Sequence, residues 1–358
     1  MSEPCSAFSV KSADDVSQAV REGACVLVRG GATKWCEPPA PTSEWSAGRR
    51  LAPLLLDTRQ LSGITEYEPD EYTFTARAGT PLKEIIETLG REGQHLPFDP
   101  LFADEGATIG GTVATAMNGP ARLRYGGVRD FIIGARFVDG EGRQLHGGGK
   151  VVKNAAGFDF PKLMTGSFGR LGVLTEVTFK VFPKPEARMT VAHDAGDLRE
   201  AVDLVCRIAR GPFDAEFIEL LPPGRVIVGI AGHAAALRPR HDAMRVALGI
   251  AFDESGIPPA ISRRSIKVPL VPSFVSILDA KLASTGTVRR YSVACNAASI
   301  EWPQDKSLSE LDALLASMQL GGVALNSGRI WLGSRTGLDF LQRVKTALDP
   351  QNKLGALT

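Results

Sequence analysis

What the chain lacks narrows its possibilities first. None of its five cysteines (Cys5, Cys25, Cys36, Cys206 and Cys295) stands in a C-x-x-C pair. Iron–sulfur clusters and structural zinc need closely spaced thiolates, so neither is expected. Scattered thiols in odd number fit small buried apolar residues. No run approaches the about 20 apolar residues that span a bilayer. With 41 basic and 40 acidic residues the net charge is +1, which argues against broad binding to nucleic acid or anionic membrane. The opening MSEPCSAFSVKSADD lacks the basic start and apolar run of a signal peptide, so the expected location is cytoplasmic, with any membrane association made through partners.

What is present reads as globular protein. At 358 residues, 44% hydrophobic and 23% charged, the chain exceeds the usual single-core size, so two domains are expected. Residues 24–28, ACVLV, form a short apolar run entering the glycines after Arg29, the pattern of a buried strand. YTFTARAG at 72–79 alternates like a half-buried strand. The helix after it has Thr80 as expected N-cap, Pro81 at its first position, and Leu82, Ile85, Ile86 and Leu89 on one face. Residues 132–145 read as a hairpin turning at Asp139-Gly140. LGVLTEVTFKVFPKP at 171–185 is a long alternating strand stopped by prolines.

Beyond residue 186 glycine clusters thin out. Helices are expected over 198–208 and 308–318, and strands over 216–221, 225–230 and 287–295. This mixture without a repeat implies an α+β second domain. In the tail, Ser334 is a candidate cap for a helix presenting Leu338, Leu341, Val344 and Leu348.

Two glycine clusters carry the strongest chemical signal, RGGATK at 29–34 and GATIGGT at 106–112. Such clusters either make tight turns or let backbone N–H groups close on an anion. Neither is a P-loop, and neither is the G-x-G-x-x-G of a Rossmann turn. The whole stretch 106–127 reads as bare backbone, neither helical nor strand-like.

With these clusters, LPFDP at 96, GATIGGTVATAMNGPARLRYGGVRD at 106, VVKNAAGFDFPKLMTGSFGRLGVLTEVTFKVFPKP at 151 and RVKTALDPQNKL near the end, the chain resembles the FAD-binding proteins of the vanillyl-alcohol-oxidase or p-cresol-methylhydroxylase (PCMH) type. The resemblance covers about residues 20–186 and 334–354. It implies an α+β fold: a PCMH-type FAD-binding domain of two α+β subdomains over 1–186, a smaller α+β cap domain over 187–325, and a segment over 326–358 returning to the FAD domain. By the same resemblance Gly30, Gly31, Ala32, Thr33 and Lys34 form a first pyrophosphate loop and Gly110, Gly111 and Thr112 a second. Ala114 lies toward the flavin, Asn118, Tyr125 and Gly126 follow the cofactor, and Pro97 lies near its ring. Gly172 and Val173 match the position whose backbone meets adenine or flavin.

Departures from the family pattern refine this expectation. Members that bond flavin covalently often use a histidine in the first loop, where this chain has Ala32 and Thr33 with Cys36 just outside; noncovalent FAD is expected. Two positions that are frequently Tyr and Glu in the family are Phe158 and Phe168. Oxidising a 2-hydroxy acid needs a base and a cation for the carboxylate. Catalytic relatives often hold a metal with paired histidines, a motif that His95, His146, His193, His233 and His241 do not form. Residues 233–241, with Arg238 and Arg240 between two histidines, read as a solvated basic turn. Arg122 and Arg124 could meet a carboxylate, a phosphate or a partner surface.

Within the family the likeness runs to the second FAD-binding subunit of bacterial glycolate oxidases. This implies a flavin used for electron transfer in a complex oxidising glycolate to glyoxylate, with a sister FAD-binding catalytic subunit and an iron–sulfur subunit as partners. Catalytic residues are unknown from sequence, and no metal is expected. A self-sufficient FAD alcohol or 2-hydroxy-acid oxidase, with His95 or a second-domain residue as base, is the alternative. A structural subunit without flavin chemistry is the third reading.

Overall fold

The computed structural model describes residues 7–34, 54–149, 158–256, 258, 260–327 and 329–357. The segment EPPAPT, Cys5, Cys36 and the run at 150–157 lie outside the described residues. The chain divides into two compact units. The first comprises residues up to Asn118, Gly127–Pro183 and Thr336–Thr358; the second comprises Gly119–Gly126 and Lys184–Arg335. The chain therefore crosses at 183/184 and 335/336, against the sequence-based 186/187 and 325/326, and the second unit takes eight residues from within the glycine-rich stretch.

The first unit opens with a parallel three-stranded sheet in which β3 (Leu54–Asp57) runs between β1 (Ala7–Ser9) and β2 (Val26–Arg29). Helix α1 (Ala13–Glu22) starts at a capping box, the Ser12 hydroxyl accepting from the Asp15 amide and the Asp15 carboxylate accepting from the Ser12 amide. That pairing satisfies two of the four orphan donors of a helix start.

A five-stranded antiparallel sheet follows, in the order β4 (Ile64–Glu68), β5 (Thr73–Arg77), β9 (Val173–Lys180), β7 (Ile132–Val138), β8 (Gln144–Gly148). Two short strands, β6 (Gln94–His95) and β10 (Phe182–Pro183), pair beside it. Val16 and Val20 of α1, Val26, Leu56, Val138, Val173 and the C-terminal Leu354 share one core cluster, so the two sheets bury apolar surface against each other rather than forming separate cores.

Several local expectations change here. Helix α2 (Leu82–Arg91) begins at Pro81, because Thr80 spends its hydroxyl on the Arg77 and Gly63 carbonyls and accepts from the Gly63 amide. Ile86 is exposed while Leu82, Ile85 and Leu89 are buried. The β7–β8 connection is a five-residue loop rather than a two-residue turn, folded around Asp139, whose carboxylate accepts from the amides of Glu141 and Arg143. The stretch 106–127, expected to be irregular, forms α3 (Ile109–Thr115) and α4 (Arg122–Tyr125), with α5 (Val128–Phe131) directly after it. Small residues let α3 pack tightly where periodicity gave no helical signal.

The second unit is a nine-stranded antiparallel sheet in the order β14-β11-β13-β12-β16-β17-β15-β18-β19. The strands are β11 (Ala187–Asp194), β12 (Phe217–Leu221), β13 (Arg225–Gly232), β14 (Asp253–Glu254), β15 (Ser265–Pro269), β16 (Val288–Ser292), β17 (Ala297–Glu301), β18 (Gly321–Ala324) and β19 (Trp331–Gly333). Helices α7 (Leu198–Arg210), α8 (Ala234–Leu248), α9 (Val275–Leu282) and α10 (Leu308–Ser317) supply Leu204, Ile208, Met244, Leu278, Leu311 and Leu315 to the core beneath the sheet. Leu220, Val268, Tyr291 and Ile300 meet them from the strands. Strand alternation therefore turns Glu219, Lys267, Arg290 and Ser299 to the opposite face.

Helix α8 replaces the expected basic turn. Pro239 lies inside it and disguised it in the sequence. His233 is its exposed N-cap residue, against Glu186 at 3.4 Å, and His241 is buried.

Helix α11 (Leu338–Leu348) returns to the first unit, with Gly337 rather than Ser334 at its N-cap. The following turn is held by the buried carboxylate of Asp349. It accepts from the Lys345 ammonium at 2.5 Å and from the amides of Lys353 and Leu354 at 2.8 Å. Lys345 also donates to the Arg170 carbonyl, and the Lys353 ammonium donates to the carbonyls of Val20 and Arg21. The DPQNKL motif is thus a polar staple. Gly140 belongs to it, since a Cβ there would collide with the Asp349 carboxylate. Among the described residues, no helix is long and apolar enough to cross a membrane.

Candidate functional site

A cleft of about 760 Å³, counted to its open mouth, lies wholly in the first unit. Its walls come from three places. The loop after β2 gives Gly30, Gly31, Ala32, Thr33 and Lys34; α3 and the residue before it give Thr108, Gly110, Gly111, Ala114 and Thr115; the turn into β9 gives Ser167, Phe168, Gly169, Gly172 and Leu174.

The loop after β2 is built to present backbone. Among the described residues, the N–H groups of Gly30, Gly31 and Ala32 meet no protein acceptor. Ala32 has φ of 51°, the left-handed conformation that curls successive amides into an anion-binding concavity. Gly30 and Gly31 are half-buried and Ala32 is exposed, so these donors are open to a ligand or to water. Lys34 is buried beside them, its ammonium donating to the Thr112 hydroxyl at 3.2 Å and lying 5.7 Å from the centre of the Phe102 ring.

The second glycine cluster works differently from the expectation. Its amides are already used: Gly110 donates to the Ala78 carbonyl, Gly111 to the Thr108 hydroxyl and Thr112 to the Thr108 carbonyl. Its glycines serve close packing. A Cβ on Gly110 would lie 2.7 Å from the Ala78 Cβ, and one on Gly30 would lie 2.5 Å from the Thr108 hydroxyl. The two clusters are thus pressed backbone to backbone, and the run of three successive free amides belongs to the first.

The electrostatics favour an anion without leaving charge loose. Arg29 lines the cleft and donates to Asp57 at 2.9 Å. Burial alone would raise the Asp57 carboxyl, but hydrogen bonds from Arg59 and then Arg29 hold it at about 2. In the same lining the Ser167 hydroxyl is buried without a hydrogen-bond partner among the described residues. Phe168 has φ of 51° and is fixed by its amide donating to the Ala114 carbonyl.

Other residues expected at the cofactor lie outside the cleft lining. Pro97 is buried between Leu96 and Phe98. Thr112 is fully buried and acts through Lys34. Asn118 braces the chain, accepting from the Val128 amide and donating to the Ala116 carbonyl. Tyr125 and Gly126 belong to the second unit. Val173 points into the core, and the next residue, Leu174, faces the cleft. Sequence reasoning missed Ser167, Thr108 and Leu174; strand alternation after Gly172 was the available signal for the last. His95 sits at β6 with Nδ1 3.2 Å from the Phe182 carbonyl oxygen, and it too does not line the cleft. Arg124 is committed to Asp214 at 2.8 Å within the second unit.

Residues 6–148 match the family model for an FAD binding domain. This segment is an FAD binding domain. Its cofactor is FAD, and the cleft fits it: three unpaired amides and a buried lysine are available to an anion, and an unpartnered hydroxyl belongs to the same lining. The chain is 40% identical over 195 residues to glycolate oxidase subunit GlcE of Escherichia coli, an alignment covering 54% of this chain and 53% of that one. It is 31% identical over 196 residues to a D-lactate dehydrogenase of Archaeoglobus fulgidus, covering 54% of this chain and 42% of the other. Glycolate oxidase subunit GlcD of Bacillus subtilis is 29% identical over 194 residues, with 53% and 39% covered. The chain spans about half the length, or less, of the curated relatives it matches. An alkyldihydroxyacetonephosphate synthase structure has a TM-score of 0.70 over 97% of this chain and 75% of that one at 16% identity, which establishes the α+β fold and nothing about substrate.

Proposed function

We propose that this chain is an FAD-dependent oxidoreductase acting on 2-hydroxy acids, as the FAD-binding subunit of a multisubunit glycolate oxidase. The observation that carries the cofactor half is the set of free amides at Gly30–Ala32 in one cleft with the unpartnered Ser167 hydroxyl. The substrate half rests on similarity to subunits named for glycolate oxidase and to enzymes named for D-lactate.

FAD, when bound, supplies a two-electron acceptor for alcohol oxidation. The chain's own part is to bind and orient it. The Gly30–Ala32 amides and Lys34 would hold the pyrophosphate, and Ser167 would hydrogen-bond a polar edge of the cofactor. Phe168 and Leu174 would keep water from the surface they cover. The first loop carries no histidine or cysteine from Gly30 to Lys34, which supports noncovalent attachment. In this reading a sister FAD-binding subunit holds the main catalytic site and an iron–sulfur subunit carries electrons onward, in the cytoplasm.

A second reading, a self-sufficient hydroxy-acid oxidase, is favoured by a specific feature of the second unit, two cations that no carboxylate neutralises. One experiment separates the two. The purified chain is loaded with FAD and mixed anaerobically with glycolate. A retained flavin spectrum without bleaching, with turnover restored by partner subunits, supports the subunit role. Enzyme-like bleaching by the chain alone overturns that division of labour. Acid precipitation that leaves flavin in the pellet overturns noncovalent attachment.

A further inference from the structure

Most of the arginines on the strands of the second unit's sheet are ion-paired. Arg188 pairs with Glu216 at 3.0 Å, Arg289 with Asp279 at 2.6 Å, and Arg124 with Asp214 at 2.8 Å. Arg290 meets Glu219 at 3.3 Å, and the Ser292 hydroxyl donates to the same carboxylate. Lys267 and Arg122 have no such partner. Among the described residues, neither side chain makes a hydrogen bond or ion pair, and the two lie close enough for Arg122 to repel the Lys267 charge.

The two come together from distant parts of the chain. Lys267 is on β15, opposite Ser299 of β17, which is itself opposite Arg290 of β16. These three side chains therefore form a row on the sheet face turned away from the helices. Arg122 is on α4, which packs against β12 of the same sheet. Of the carboxylates on this face, Glu216 and Glu219 are matched by Arg188 and Arg290; Glu301, two positions beyond Ser299 on β17 and opposite Ser265, makes no ion pair with either cation. Two unpaired cations against one unpaired carboxylate leave the charge on this face positive, and one of the cations, Lys267, is half-buried. Like charges drawn together out of water are unfavourable, and such a site is relieved by a bound anion.

We propose that Lys267 and Arg122, with the Ser299 hydroxyl beside them, form a binding site for a small carboxylate on the polar face of the second unit's sheet. The carboxylate meets the two cations, and Ser299 meets the neighbouring hydroxyl or carbonyl oxygen of a 2-hydroxy or 2-oxo acid. The choice of ligand class rests on the hydroxy-acid reading above; the site itself rests on the unmatched charge.

The test uses the full chain loaded with FAD and titrated calorimetrically with oxalate, an unoxidisable carboxylate, then with glycolate and inorganic phosphate. Wild type is expected to bind the carboxylates more tightly than phosphate. Lys267→Met and Lys267→Gln are each expected to weaken oxalate by about tenfold or more, the loss of one charged hydrogen bond, with an unchanged flavin spectrum and a melting temperature equal to or above wild type. Arg122→Gln is expected to act in the same direction. Unchanged oxalate affinity in both Lys267 variants overturns the site. So does a flavin-loaded wild type that binds no carboxylate, a result that leaves the cofactor reading standing. Phosphate binding as tightly as oxalate overturns the carboxylate assignment. A chain that takes up no FAD overturns the function on which that assignment rests.

Discussion

A Cβ on Gly31 would collide with the carbonyl oxygen of Gly106, 75 residues further along the chain. This approach explains why residue 31 is glycine. The loop after β2 can present Gly30, Gly31 and Ala32 to the cleft because its back lies against the backbone before α3.

Gly31→Ala is therefore expected to push the two segments apart. Overpacking of this kind costs about 1–3 kcal/mol, and it displaces the amides that hold the cofactor. Thermal unfolding of the apo chain and the flavin-to-protein ratio after gel filtration check it, and both should fall. Gly90→Ala provides the contrast, since nothing lies within 4 Å of its missing Cβ and alanine favours a helix.

Ser167→Ala is expected to act with opposite signs in the two states. Without FAD it removes a buried hydroxyl that has no partner, so the apo chain should be as stable or slightly more stable. With FAD it removes one hydrogen bond of about 1 kcal/mol, roughly a fivefold loss of affinity. Fluorescence titration with FAD beside apo melting curves measures both. Equal affinity would place the hydroxyl outside the cofactor's reach.

Asp349→Asn is expected to destabilise the first unit strongly. Burial already depresses Lys345, and the Asp349 carboxylate opposes that shift. Removing the charge strands a buried ammonium, a change that costs about 3–5 kcal/mol when a buried pair loses one partner. Urea unfolding should show a much lower midpoint without any change in the chain's contacts to solvent-exposed ligands.

Lys267 gives a pH dependence with a definite sign. Burial, and then repulsion from Arg122, pulls its ammonium down to about 8, against about 10.4 for an unfolded lysine. Between these values the unfolded chain binds more protons, so this group makes stability rise with pH. Below about pH 8 both states are protonated and the full cost of the buried charge is present. Lys267→Met is thus expected to be more stable than wild type at pH 7, by on the order of 1–3 kcal/mol, and the gap should narrow by pH 9.5. Urea midpoints at the two pH values decide it; a gap that does not change with pH would contradict the burial of this charge.

Much of this was legible from sequence because it is local. Alternation located β5 and β9, and the apolar run before Arg29 located β2. The motifs shared with the PCMH-type family carried the α+β fold and FAD, since the first loop and the DPQNKL staple are contiguous in sequence. Local signals failed where tertiary contacts outvote them. Pro239 masked α8, the small residues of α3 hid a helix, and Thr80 was drawn from its capping role by the Arg77 and Gly63 carbonyls.

The sequence by itself determined that two glycine clusters exist, that cysteine and histidine are too sparse for the usual metal motifs, and that charges nearly balance. Only the tertiary structure decided how these features are used. It spent the amides of Gly110, Gly111 and Thr112 on hydrogen bonds to Ala78 and Thr108 and left those of Gly30, Gly31 and Ala32 free. It turned Leu174 rather than Val173 to the cleft. It brought Lys267 within range of the Arg122 charge with no ion pair for either. Charge balance is a sum over the chain, but the energy of a charge depends on its near neighbours and on its distance from water, and folding alone sets both.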